Sequence, residues 1–302
     1  MVVEKNALLA AGLTSMMWGV TGIFVRLLPP LSPLLVTAGR LLIALIAVVP
    51  VLVLYRASRQ SLRSVLWRPV AYVLALLLAA YYLLATAAFQ MAPVAEVALL
   101  LSTTPLFVLA FRKACGDRPT RSELGGALLA MSGIALILAP KMSLAGGMPM
   151  QHLTGNFLAI CAAGLTAFYA YLLRRLSARG VAPETTGIAF LTFLAGSILL
   201  LLMVGLTSSA SGWRSLDADA LLMFVGLGVL CTAIPTMGFA LAARRLPAVV
   251  TATISLFIPV FAGLFAFLIL GEKIAPMFIP GGVLVLAGVA MILQQSRVKT
   301  TV

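Results

Sequence analysis

Acidic residues are scarce in this 302-residue chain: 8 Asp and Glu stand against 21 Lys and Arg, a formal charge of +13, and charged residues of both signs make up only 10% of it. Soluble globular chains carry about 25% charged residues, so the composition argues against a cytosolic globular enzyme. His152 is the one histidine, and the 3 cysteines, Cys115, Cys161 and Cys231, are too few and too scattered for a disulfide framework or a zinc site. No cofactor and no metal are expected. The chain also lacks a glycine-rich phosphate loop closed by lysine and an HExxH pair, which leaves ATP-driven work and zinc proteolysis without a basis in this chain. His152 falls at the edge of a predicted loop, where a solvated histidine is the expectation. With no nucleophile, base and metal set in view, the chain is not expected to be an enzyme.

What the chain does hold is apolar sequence, 62% of its residues. A transmembrane helix needs roughly 20 mostly apolar residues. Runs bounded by proline, glycine and charge fall at 7–28, 32–55, 68–90, 94–112, 121–140, 153–175, 185–206, 218–243, 247–270 and 275–294, predicting an all-α integral membrane protein of ten spans. The first run follows Glu4 and Lys5 directly and is read as a retained span. Strand alternation is missing from the runs, and open strands would leave edge groups unpaired in hydrocarbon.

The basic residues lie in the short gaps. Placing both termini on the cytoplasmic side puts 16 of the Lys and Arg on inner segments and 4, Arg26, Lys141, Arg214 and Lys273, on outer ones, with Arg40 inside the second span. Positive residues in short loops are retained inside, so the charge is a topology signal. Nucleic acid is not expected as a partner; membrane lipids are, through anionic headgroups.

The chain repeats itself. Ala10-Ala11-Gly12-Leu13-Thr14 recurs as Ala162-Ala163-Gly164-Leu165-Thr166, and the spacing of Pro93 to Pro105 recurs as Pro247 to Pro259. Gly116-Asp117 corresponds to Gly271-Glu272, and Gly126 with Gly133 to Gly281 with Gly288. Each half, 1–147 and 148–302, holds five predicted spans, and an odd number inverts the second half in the membrane. Inverted repeats are the architecture of many secondary transporters, which expose a midplane site to either side alternately.

Only two ionisable residues fall well inside predicted spans, Glu96 and Arg40, and such residues are costly there unless hydrated or paired. Glu96 either binds a substrate ammonium or a coupling proton, or the two form a structural pair near the outer interface, or each faces water. Val250 stands at the repeat position of Glu96. Trp18, Tyr82 and Tyr169 lie inside spans rather than in interfacial belts, and Tyr82, Thr86 and Phe89 share a helix face. Such a surface suits flat rings or a cation, or serves packing between helices. Thr236 beside Pro235, Thr103 before Pro105, and Ser255 before Pro259 place hydroxyls at helix-breaking prolines, where freed carbonyls can face a ligand. Helices are expected to bend at Pro105 and Pro259. The glycines at 126, 133, 281 and 288 read as close-packing positions, joining the last spans of the two halves or two protomers.

The Trp18-Gly19 pair, Arg40 after Leu31-Ser32-Pro33, Pro93-Val94-Ala95-Glu96 running to Thr104-Pro105, and Pro259 with Gly271-Glu272-Lys273 resemble the EamA-type branch of the drug/metabolite transporter (DMT) superfamily over essentially the whole chain. Within it the YddG-type aromatic amino-acid exporters are the member group named by similarity. The resemblance implies a ten-helix carrier of the inner membrane with a central cavity lined mainly by spans 1, 3, 4, 6, 8 and 9, and it implies export. The expected substrates are amino acids or similar small metabolites, because few fixed charges face the site and strongly anionic substrates need Arg or Lys clamps. Proton-coupled efflux of cationic drugs through Glu96 is the second transporter reading. A passive pore or membrane scaffold is the alternative of another class.

Overall fold

The computed structural model describes residues 2–116, 119–142, 150–181, 183–207, 216–245, 254–273 and 275–298. The helices are α1 (Val2–Gly19), α2 (Thr21–Leu27), α3 (Pro33–Leu54), α4 (Arg56–Leu66), α5 (Pro69–Met91), α6 (Val94–Leu101), α7 (Thr104–Ala114), α8 (Arg121–Met142), α9 (Met150–Ala178) and α10 (Thr185–Leu206). They continue with α11 (Ala218–Val225), a π-helical stretch (Gly226–Ala233), α12 (Ile234–Arg245), α13 (Ile258–Leu270) and α14 (Phe278–Val298). Among the described residues there is no strand.

Seven spans, at Asn6–Leu27, Pro33–Leu54, Pro69–Met91, Val94–Ala114, Met150–Ala178, Thr185–Leu206 and Ala218–Phe239, are long and apolar enough to cross a membrane, and Ile258–Leu270 and Phe278–Ile292 are shorter apolar helices. The protein is therefore a multi-pass membrane protein, with large apolar side chains such as Leu128, Leu202 and Leu268 facing outward, where hydrocarbon rather than water is the solvent. The gap between the second and third expected spans differs from the sequence reading: Arg56–Leu66 is a helix of its own.

Helix ends follow local chemistry. Ser32 accepts from the Leu35 N–H at 3.2 Å with Pro33 in the first turn of α3. Asp217 accepts from the Ala220 N–H at 2.8 Å to start α11. At α8, Glu123 accepts from the Thr120 N–H and Thr120 Oγ1 from the Glu123 N–H, a reciprocal box that an Arg112 ion pair at 2.7 Å completes. Gly271, at φ 64°, ends α13 in the left-handed conformation that favours glycine.

Prolines mark two of the interruptions, while the first span breaks at Val20 without one and Pro50 lies inside α3. The fourth span breaks at Ser102–Thr103, just before Pro105 in the first turn of α7, and α13 begins one residue before Pro259. Proline cannot bond the carbonyl four residues back. For Pro105 that carbonyl is Leu101, which accepts instead from Thr104 Oγ1 at 2.9 Å. Pro235 follows the π-helical stretch rather than a break.

The main core joins α2, α5, α6, α11 and α13, with Phe89, Val97, Phe224 and Ala262 at its centre, and a second packs α3 against α10 through Leu41, Phe190 and Phe193. Phe89 is therefore a packing residue. Helices α8 and α14 touch backbone to backbone. A methyl group on Gly133 would lie 2.5 Å from the Gly281 carbonyl, and one on Gly126 2.6 Å from that of Gly288. Without a hydrophobic driving force between helices in lipid, such close approach is what van der Waals attraction requires. Gly133→Leu is expected to lower the thermal denaturation midpoint of the purified protein, an overpacking cost of about 1–3 kcal/mol, whereas Gly205→Leu, which meets nothing within 4 Å, should leave the midpoint unchanged.

Candidate functional site

Two polar centres lie inside the bundle. The first is built around Arg40, 2% exposed on α3. Its Nε donates to Thr232 Oγ1 at 2.5 Å and its Nη2 to the Cys231 carbonyl at 3.1 Å. Its guanidinium carbon sits 4.6 Å from the centre of the Tyr82 ring on α5, a cation–π contact. Pro235 explains the acceptor: it has no N–H to offer the carbonyl four residues back, which is Cys231. Thr232 is held in turn by donating to the Leu227 carbonyl, five residues back and 2.8 Å away, as the π-helical winding allows.

Around this cation gather tyrosines. The Tyr81 ring lies 5.3 Å from that of Tyr82, and Tyr169 is carried by α9. Tyr82 and Tyr169 are half-buried. Thr236 donates to the Thr232 carbonyl at 2.5 Å. Trp18 stands apart on α1, its ring 5.3 Å from that of Phe239 on α12. Thr86 is wholly buried with a hydroxyl that has no hydrogen-bond partner. The guanidinium carries more N–H donors than its two bonds use.

The second centre is Glu96, 6% exposed in the first turn of α6. Its Oε2 is 2.9 Å from His152 Nε2 and 3.4 Å from Asn156 Nδ2, both on α9. Of the alternatives open for Glu96 and Arg40, the structure does not show the pair: each has its own partners on different helices. His152 is not a solvated loop residue either. Helix α9 starts at Met150 and carries it inward, its side chain 17% exposed and in an ion-pairing position. A carboxylate placed early in one span and a histidine early in another were the available signal, and only the packing of α6 on α9 joins them. Asn156 keeps Oδ1 without a partner. The cavity beside Glu96, against Leu99 and Ile137, measures about 10 Å³, room for at most one water. In this conformation the carboxylate is closed off.

Next to it, Glu272 after α13 accepts from the Val94 N–H at 3.0 Å, and Arg26 donates to the Ala92 carbonyl at 2.7 Å. The Glu272–Val94 contact joins the two halves of the sequence, whereas Arg26–Ala92 lies within the first. Of the remaining expected contacts, Thr103 spends its hydroxyl on the Leu100 carbonyl at 2.6 Å and Ser255 is half-buried. Val250, Thr251 and Thr253 lie outside the described residues, as does the 147/148 boundary.

The chain is thus a helical membrane protein with one span interrupted at Ser102–Thr103 and a buried cation beside a π-helical stretch of another. The profile of the EamA-like transporter family matches residues 5–139 and again 153–294. The chain belongs to this family, whose members are transporters and not enzymes. A probable terminal-alkyne amino-acid exporter of Streptantibioticus cattleyicolor is 31% identical over 202 residues, 66% of this chain and 64% of the exporter, so the match spans less than two thirds of that protein's length. An uncharacterized transporter of Archaeoglobus fulgidus is 27% identical over 203 residues, 67% of this chain and 68% of its own. A solved crystal structure shares the fold, with a TM-score of 0.66 at 20% identity over 97% of this chain and 98% of that one.

The Arg40 centre should be sensitive to geometry as well as charge. Arg40→Lys keeps the charge but loses the planar fork, and is expected to lower the denaturation midpoint clearly. Thr232→Val removes one charge-assisted hydrogen bond and should cost about 1.5–3 kcal/mol. Equal midpoints for Arg40→Lys and the wild type would show that the fork is not used.

Proposed function

We propose that this protein is a secondary transporter that carries small organic metabolites, amino acids foremost, across the cytoplasmic (inner) membrane, with export as its direction. It works by alternating access of two inverted five-span halves, 1–147 and 148–302, with both termini cytoplasmic. The double match of the family profile and the sequence repeat support the halves. The name of the Streptantibioticus relative supports amino acids and export.

The observation that carries the reading is the Arg40 centre. A fixed guanidinium held among Thr232, the Cys231 carbonyl and the Tyr82 face offers a carboxylate charge-assisted hydrogen bonds. Tyr82, Tyr169 and Trp18 offer apolar rings for a side chain, and Thr86, Thr236 and Ser255 offer hydroxyls. One cation at this centre, with no second among the described residues there, favours a zwitterion over a phosphorylated substrate. Glu96 would bind the substrate ammonium or act as a gate, and Pro105, Pro235 and Pro259 mark the hinges about which the half-helices move.

Counterflow of labelled aromatic, aliphatic and cationic amino acids in proteoliposomes tests this. Saturable exchange of zwitterionic amino acids is expected, reduced about tenfold or more in Arg40→Gln, the loss of a charge-assisted hydrogen bond. Absence of saturable flux for every amino acid overturns it. A second reading, proton-coupled efflux of organic cations, is favoured by the Glu96–His152 contact, since both groups can exchange protons. It expects drug flux that requires a pH gradient and disappears in Glu96→Gln, with no amino-acid exchange.

A further inference from the structure

Helix α4 lies outside the transport path, and nothing in the reading above uses it. One face is seated on the bundle: Ser61 and Val65 are buried, with Ser58 and Leu62 half-buried beside them. The seat is tight, because a methyl group on Gly187 of α10 would come within 2.5 Å of the Ser61 carbonyl oxygen. The opposite face carries Arg56, Arg59 and Arg63, spaced so that all three point the same way, and all three are exposed. Between Tyr55 and Arg68 there is no acidic residue. The three guanidiniums line a groove of about 610 Å³ whose other wall is the end of α3, through Leu52 and Val53.

The surroundings have the polarity profile of a membrane interface. Tyr55 precedes the helix and is 62% exposed, and Trp67 follows it and is 91% exposed. Such amphipathic rings settle at headgroup depth. Val53 and Leu54 are 62% and 75% exposed on the hydrocarbon side of the arginines.

We propose that this groove is a binding site for an anionic phospholipid. Its phosphodiester headgroup would accept from Arg56, Arg59 and Arg63, and one acyl chain would lie along Leu52 and Val53. Charge complementarity selects the occupant: three cations with no counter-carboxylate on the helix and an apolar strip directly below fit an amphiphile with a negative head. A free anion would use only the arginines, and a zwitterionic lipid would gain little from them. The inference rests on the protein's residence in a membrane and is independent of what it transports.

Native mass spectrometry of the full chain released from neutral detergent tests it, with phosphatidylglycerol and phosphatidylcholine of the same acyl chains as probes. Phosphatidylglycerol should be retained in preference, and each Arg→Gln change among Arg56, Arg59 and Arg63 should weaken its retention by about fivefold, whereas Arg174→Gln should not. Equal retention of the two lipids by the wild type overturns the proposal, as does unchanged retention in the Arg56→Gln/Arg59→Gln/Arg63→Gln variant. Displacement of the lipid by millimolar inorganic phosphate would mark a free-anion site and overturn it too. Should the variants fail to fold, photoactivatable phosphatidylglycerol on the wild-type protein in vesicles decides: crosslinks within 52–66 support the site, and crosslinks only elsewhere overturn it.

Discussion

Inside hydrocarbon a peptide group without a hydrogen bond costs several kcal/mol, and the places where this chain leaves regular α-helix are organised by that cost. Pro235 withholds an N–H from the Cys231 carbonyl, and Arg40 supplies the donor from another helix. Pro105 withholds one from Leu101, and the Thr104 hydroxyl supplies it. The free N–H of Val94 at the start of α6 meets the Glu272 carboxylate, and the Ala92 carbonyl just before it meets Arg26. Each repair uses a polar side chain, and at Pro235 and at the start of α6 that side chain is charged.

That coincidence gives the interior two centres of different character. At Arg40 the charge of α3 is embedded in acceptors of the π-helical stretch and a ring face of α5. Any rotation of these helices relative to one another changes its surroundings. At Glu96 the contacts run between α6 and α9 and leave hardly any free volume. The Glu272 and Arg26 contacts lie next to it, at the start of α6. The geometry is that of a carboxylate held between two helices with its surroundings closed.

The bulk of the fold was legible in the sequence because membrane helices announce themselves by length and apolarity. Pro33–Leu54, Pro69–Met91 and Thr185–Leu206 lie within two residues of the expected runs. The family was legible from Trp18, Arg40, the Pro93 to Pro105 stretch and the Gly271 turn, and the family profile agrees. Helix α4 was not, since a basic segment between spans reads equally as loop, and its helix becomes visible only once Ser61 and Val65 are seen seated on Gly187. His152 was missed for a related reason: a lone polar residue near a span end has no periodic partner in its own helix to mark it.

Composition, hydropathy and the basic residues between spans by themselves determined that this chain is a helical membrane protein, because those properties act residue by residue against the surrounding solvent. Which polar groups meet was decided only by tertiary structure. Arg40 and Glu96, the two charges that sequence alone could pair, are drawn apart to Thr232 and His152, 192 and 56 positions along the chain. Side-chain pairing between helices depends on their rotation and depth, and neither is written in the order of residues along a single helix.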